Sequence, residues 1–217
     1  MLDRDLRAGV ARLDLALPDS AIGKLLDYLA LLAKWNAVYN LTAVREPRAM
    51  LIQHLLDSLA IVTPLASRAR APLTCVVDVG SGGGLPGIVL AIVWPDTRIH
   101  LIEPVGKKAA FLRQCALELA LAHVEIHATR VEDLDSAATI APDLIVCRAF
   151  ASLADFVAGI GALAGPTTIV AAMKGVVPRD EIAALGDGWS VAEILPLEVP
   201  LLDAERHLLL LERRAAS

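Results

Sequence analysis

Val76-Val77-Asp78-Val79-Gly80-Ser81-Gly82-Gly83-Gly84-Leu85-Pro86-Gly87 is the stretch whose reading decides the fold. It begins within a short apolar run, Cys75 to Val79, whose β-branched residues suit a buried strand. Four glycines in five residues, Gly80 and Gly82 to Gly84, then break the run and allow tight or left-handed backbone without a Cβ penalty. Pro86 stands where a helix can begin, since its fixed φ and missing N–H suit a first helical turn. Gly87 to Trp94 continues apolar. A strand, a glycine turn and a helix N-terminus together make a pocket for a ligand that lies flat against backbone.

Downstream of this stretch the pattern alternates. Strands are expected at 75–79, 98–102, 124–128, 143–147 and 167–173, and helices at 86–94, 106–121, 152–163 and 178–185. That alternation implies βαβ units and a parallel sheet covered by helices on both faces. Trp189–Val199 and His207–Leu211 follow as two strand candidates without a clear helix between them, fit for an antiparallel edge. Upstream, helical spacing appears in 3–17, in 20–36 and from Pro47 to about Pro64, while Trp35 to Thr42 has the aromatics and turn formers of a packed corner. Ser67–Pro72 is short and basic, and marks the boundary between an N-terminal helical cap, 1–72, and a main domain, 73–217, the two expected to form one compact unit.

The chain has 217 residues and a net charge of −5, unevenly spread. Residues 1–72 carry nine Lys/Arg against seven Asp/Glu, and residues 73–217 carry eleven against eighteen. An acidic total argues weakly against nucleic acid, but screening beyond ~8 Å leaves room for a local basic face. No apolar run approaches the ~20 residues of a bilayer span, and the charged start, Met1 to Arg7, is unlike a signal peptide. Cys75, Cys115 and Cys147 are far apart and sit in apolar runs, as reduced core residues of a cytosolic protein do, so neither a disulfide frame nor a metal site is indicated.

Two motifs overlap in the glycine stretch. Asp78 to Gly84 fits D-x-G-x-G-x-G, the first motif of S-adenosylmethionine-dependent methyltransferases with a Rossmann-like fold, and Gly82 to Gly87 fits G-x-G-x-x-G, the dinucleotide fingerprint. The chemistry separates them: an acid beside the loop repels a pyrophosphate but stabilises the cationic methionyl end of S-adenosylmethionine. Glu103, at the end of the second strand, is placed to accept both ribose hydroxyls in either reading. An NAD(P)-dependent oxidoreductase, the alternative, would need hydride-transfer equipment, yet neither Tyr28 nor Tyr39 has a lysine four residues on.

At the end of the fourth strand, Ile145 to Ser152 lacks both the N/D-P-P-Y turn of amino-group methyltransferases and the Pro-Cys of C5-pyrimidine enzymes. Arg148 there can grip a carboxylate, a phosphate or a guanine edge, or it can be paired structurally with a neighbour such as Asp143. Arg130-Val131-Glu132 follows the third strand, where a loop covers the adenine ring. Lys107-Lys108 reads as a solvated helix start or a phosphate contact, and Lys174-Gly175 as a rim position. His54 and Asp57 in the cap read as structural or as bonded across to the cofactor loop.

Lys34-Trp35-Asn36, Tyr39-Asn40-Leu41-Thr42, His54 with Asp57-Ser58, the glycine stretch, Arg148-Ala149-Phe150-Ala151 and Glu205-Arg206-His207-Leu208 together resemble, in order, the bacterial ribosomal RNA small subunit methyltransferase G family, also called glucose-inhibited division protein B. Gly83 departs from the proline or alanine frequent there, and Ala204 from a common glycine. The resemblance implies an α/β, Rossmann-like class I S-adenosylmethionine methyltransferase fold: a mostly parallel seven-stranded sheet with an antiparallel last strand, plus the N-terminal helical cap. It implies cytoplasmic methyl transfer from S-adenosylmethionine to N7 of a guanine in 16S rRNA of the small subunit, and cofactor contacts at Gly80, Leu85, Val131, Glu132 and Arg148. With the loop and strand ends, the expected cofactor set is Asp78, Gly80, Ser81, Gly82, Gly84, Leu85, Glu103, Val131, Glu132 and Arg148, with Arg148 also positioning the reactants. Arg45, Arg48, Lys107, Arg148, Lys174 and Arg206 are expected to face RNA, with no membrane and no metal involved. Guanine N7 has an in-plane lone pair and no proton, so neither a general base nor a covalent nucleophile is required.

Overall fold

The computed structural model describes residues 1–134, 140–186 and 188–214. Its centre is a seven-stranded sheet built from β1 (Cys75–Val79), β2 (Arg98–Ile102), β3 (Val124–His127), β4 (Leu144–Arg148), β5 (Ile169–Lys174), β6 (Trp189–Pro196) and β7 (His207–Arg213). The spatial order is β3-β2-β1-β4-β5-β7-β6. The first five strands pair in parallel, and β7 runs antiparallel to both β5 and β6. β1 is buried along its whole length, as a central parallel strand covered on both faces must be.

Three helical stretches form the N-terminal part: α1 (Leu2–Arg12), α2 (Asp19–Tyr39) and α3 (Pro47–Ala66). Along the sheet lie α4 (Gly87–Val93), α5 (Gly106–Glu118), α6 (Leu153–Gly159) and α7 (Arg179–Ala183). Two hydrophobic clusters result. One contains Leu25, Leu32 and Leu55 from the N-terminal helices together with Val76, Val89, Leu101 and Phe111, so helices and sheet share a core. The other, on the opposite face, contains Val77, Ile145, Phe156 and Leu209. Each fully buried aliphatic or aromatic side chain contributes roughly 1.5–3 kcal/mol.

Several element boundaries differ from the sequence reading. α1 stops at Arg12 rather than Leu17, because Asp14 takes a left-handed φ of 53° before Pro18. The expected corner at Trp35 is instead the last turn of α2. Trp35 packs its ring 5.2 Å from Tyr39 and 5.5 Å from Phe111, and the turn comes only at Asn40, with φ 51°. Asn36 holds that turn from within the helix, donating to the Val44 carbonyl and accepting from the Thr42 N–H. α3 is long and apolar enough, by length and composition, to cross a bilayer, which corrects the reading that no such run exists. Of its most apolar window, 72% is buried inside the molecule, as befits a core helix. Leu51–Leu56 within it is wound as a π-helix.

Candidate functional site

The strand order reverses between β1 and β4, so a crevice opens at their C-terminal ends, where open α/β sheets bind ligands. The glycine loop borders it. Gly80, Gly82 and Gly84 have φ of 73°, 57° and 91°, all left-handed. Gly80 and Ser81 both donate to the Ile102 carbonyl, at 2.9 and 3.1 Å, which ties the loop to the end of β2. From the other side Tyr28 of α2 donates its hydroxyl to the Gly83 carbonyl at 2.5 Å. Gly87 explains why α4 lies so close to the sheet: a Cβ there would come within 2.3 Å of Leu101 and 2.6 Å of Asp78.

A cavity of about 670 Å³ occupies the crevice. Gly80, Glu103, Val131 and Glu132, four of the expected cofactor residues, line it. Ile102, Lys108, Arg130, Phe150 and Asp155 add walls. Asp155 escaped the sequence reading; the available signal was the Ser152-x-x-Asp155 helix start, where the Ser152 hydroxyl accepts the Asp155 N–H at 3.0 Å. Glu103 is 3% exposed and already accepts from Gly82 N–H at 2.7 Å and Val105 N–H at 2.8 Å. Each of its oxygens retains a lone pair for a ribose hydroxyl.

Asp78, Ser81, Gly82, Gly84 and Leu85 do not line this cavity; they shape the loop from beneath. The Ser81 hydroxyl donates to the Asp78 carbonyl at 3.0 Å, and Leu85 is buried. Asp78 is fully buried, with Oδ2 accepting the Gly87 N–H at 2.9 Å and Oδ1 without a partner among the described residues. Burial pushes its pKa up to about 7, against the pull of the Gly87 N–H and the Ser81 hydroxyl. An unpartnered carboxyl oxygen one residue behind the cavity is one whose ionised form a nearby cation would stabilise.

These features fit S-adenosylmethionine. Three acids, Glu103, Glu132 and Asp155, line the cavity against two cations, Lys108 and Arg130, a balance suited to a positively charged ligand and opposed to a pyrophosphate. Val131, 6% exposed, offers an apolar face for a base. At Gly80 a Cβ would stand a tight 3.3 Å from the Phe150 ring, on a left-handed backbone that side chains rarely adopt.

Arg148 faces elsewhere. A second cavity, of about 360 Å³, is lined by Gln53, His54, Asp57, Arg148, Lys174 and Arg206, with Ala149 shared between the two cavities. Arg148 Nη1 donates to the Gln53 carbonyl and to Asp57 Oδ2, each at 3.0 Å. Asp57 Oδ1 accepts from Arg206 Nε at 2.9 Å, so one buried carboxylate holds two guanidiniums. The neighbour suggested by sequence, Asp143, sits at the far end of β4 and accepts instead from Thr74 and Cys75; these bonds hold its carboxyl below the usual range, although partial burial pulls the other way. Lys174 is paired with Glu181 at 2.8 Å. His54, expected to reach the cofactor loop if it bonded across, instead meets the Thr42 hydroxyl at 2.9 Å, and burial with help from Arg148 lowers its pKa to about 4.

Of the six basic residues expected to face RNA, the fold therefore gathers Arg148, Lys174 and Arg206. Arg45 bonds the Asn40 side chain at 2.7 Å, and Arg48 pairs with Asp5 at 2.9 Å, both on the outer surface of the N-terminal helices. Lys107 is exposed in the first turn of α5.

Comparison with known proteins adds independent findings. A family model described as rRNA small subunit methyltransferase G matches residues 21–209. The chain is 54% identical over 210 residues to the Ribosomal RNA small subunit methyltransferase G of Burkholderia lata, covering 96% of this chain and 91% of that one. The protein of the same name from Burkholderia pseudomallei is 53% identical, covering 95% and 89%. Among solved structures, MtNAS in complex with MTA and tNA superposes with a TM-score of 0.60 at 15% identity over 89% of this chain and 72% of that one. TrmN from Thermus thermophilus gives 0.54 at 20% identity over 76% and 53%. At those identities the structures speak to the fold alone.

Proposed function

The chain belongs to the ribosomal RNA small subunit methyltransferase G family, and from that premise we propose that it transfers a methyl group from S-adenosylmethionine to N7 of a guanine in 16S rRNA. The relatives being methyltransferases, the oxidoreductase reading of the glycine loop has no support. The observation that carries the chemistry is the adjacency of two unlike cavities: one rich in acids at the glycine loop, one rich in cations beside it, with Ala149 in the wall of both.

The donor supplies an activated methyl on a cationic sulfur. Glu103 holds the ribose, Val131 and the neighbouring backbone take the adenine, and Asp78 with the surrounding acids balances the positive end. On the other side Arg148 and Arg206, both bound to Asp57, together with Lys174 hold the phosphate or guanine edge of the acceptor. Because N7 carries no proton, none of these side chains has to act as a base. Their contribution is to bring N7, methyl and sulfur into line and to exclude water. The substrate is then ribosomal RNA of the small subunit, and the place of work the cytoplasm.

The test is direct. Borohydride and aniline cleave RNA at N7-methylguanine, so 16S rRNA from a strain lacking this gene should lose one cleavage that the gene restores. Unchanged cleavage in the deletion strain would remove the assignment.

A further inference from the structure

Away from both cavities, the sheet edge at β2 and β3 carries a cluster that the function above does not use. Parallel pairing sets His100 beside Glu125 and Ile102 beside His127. Side chains two apart on a strand share a face, so His100, Glu125 and His127 converge although 25 residues of sequence separate the first from the second. His100 Nδ1 lies 3.0 Å from His127 Nε2 and 3.6 Å from the Glu125 carboxylate. A tetrahedral ion bound at 2.0–2.1 Å would space its ligand atoms by about 3.3 Å, between those two distances. The spacing of cysteines gave no hint of this, because the cluster contains none.

We propose that His100, Glu125 and His127 bind a divalent transition-metal ion of the zinc class. Two imidazoles and one carboxylate are a ligand set that zinc accepts while keeping a position open to water. His100 is 3% exposed, and Glu125, with its side chain 59% exposed, gives the ion a way in. A cavity of about 460 Å³ lined by Thr74, Cys75, Arg98, His100 and Glu125 opens beside the cluster. Arg98 on the same strand face opposes a cation, and Glu125 offsets that charge. His100 Nε2 has no outer partner among the described residues, so the ligand set is less well supported than in a tight site and micromolar affinity is expected. An ion there would pin β3 to β2 four residues before Val131 of the cofactor cavity.

The experiment uses untagged full-length protein and zinc alone. Titration against a chromophoric chelator should show one saturable zinc per chain, and cobalt substituted for zinc should give the visible absorption of a four- or five-coordinate site. Glu125→Gln and His127→Ala should each weaken binding by about tenfold or more, and zinc should raise the melting temperature of the wild type but not of Glu125→Gln. Far-ultraviolet circular dichroism of each variant controls for folding. Absence of stoichiometric binding, or binding that both folded variants retain, overturns the proposal and leaves the pair of histidines as a structural hydrogen bond.

Discussion

Asp78 sits where burial and its proposed role pull in opposite directions. Fully enclosed, with its pKa raised to about 7 from 3.8, it favours the protonated form in the folded chain. For this group alone, stability is greatest below the unfolded value and falls as pH rises from about 4 to 7, because the unfolded chain has already released the proton. A cationic ligand reverses that preference by stabilising the carboxylate. S-adenosylmethionine affinity is therefore expected to increase by up to about tenfold between pH 6 and pH 8, and Asp78→Asn should flatten the profile. Calorimetry at the two pH values checks this; a flat wild-type profile would disconnect Asp78 from the ligand's positive end. That an acid stands beside the glycine turn was legible in sequence because the residues are contiguous. That its Oδ2 is spent on Gly87 was not, since the bond depends on how closely α4 approaches β1.

At the scale of elements, the alternation of strands and helices was readable because parallel strands buried on both faces are written as unbroken apolar runs. Helix ends were less readable. The aromatics at 35 and 39 resemble a corner in sequence, and only the packing of Trp35 on Phe111 of α5 shows why the helix continues. The π-helical turn in α3 left no periodic trace either, yet Gln53 within it offers its carbonyl to Arg148. Ion pairs across elements are hidden for the same reason: Asp57 is 91 residues from Arg148 and 149 from Arg206. Asp57 thereby joins α3, β4 and the approach to β7. Asp57→Asn should cost about 2 kcal/mol, less than the roughly 3–5 kcal/mol of a fully enclosed pair, because the arginine side chains keep 19% and 24% of their exposure. Denaturant unfolding measures that loss. If the carboxylate positions both guanidiniums for the acceptor, kcat/KM for the RNA should fall by more than about tenfold while S-adenosylmethionine affinity stays within about twofold. Equal losses on both substrates would point to general loosening instead.

For the whole molecule, the shared core makes a prediction about dissection. Leu25, Leu32 and Leu55 pack in one cluster with Val76, Val89 and Phe111, so a chain beginning at residue 73 would expose one face of the sheet layer to water. Such a fragment should lose cooperative two-state unfolding and fail to bind S-adenosylmethionine, whereas a cap that merely rests on a finished domain would leave both intact. Urea titration followed by circular dichroism distinguishes these outcomes. The same integration bears on the route of the methyl group. Ala149, at φ 55°, turns the chain left-handed for a single residue, so that Arg148 belongs to one cavity and Phe150 to the other. On the proposed reading, donor and acceptor would occupy neighbouring cavities parted by the single residue Ala149. Ala149 is exposed, so bulk alone is not what a branched side chain would meet there; the left-handed φ is, and the backbone turn at that one residue would set how near the two reactants can come.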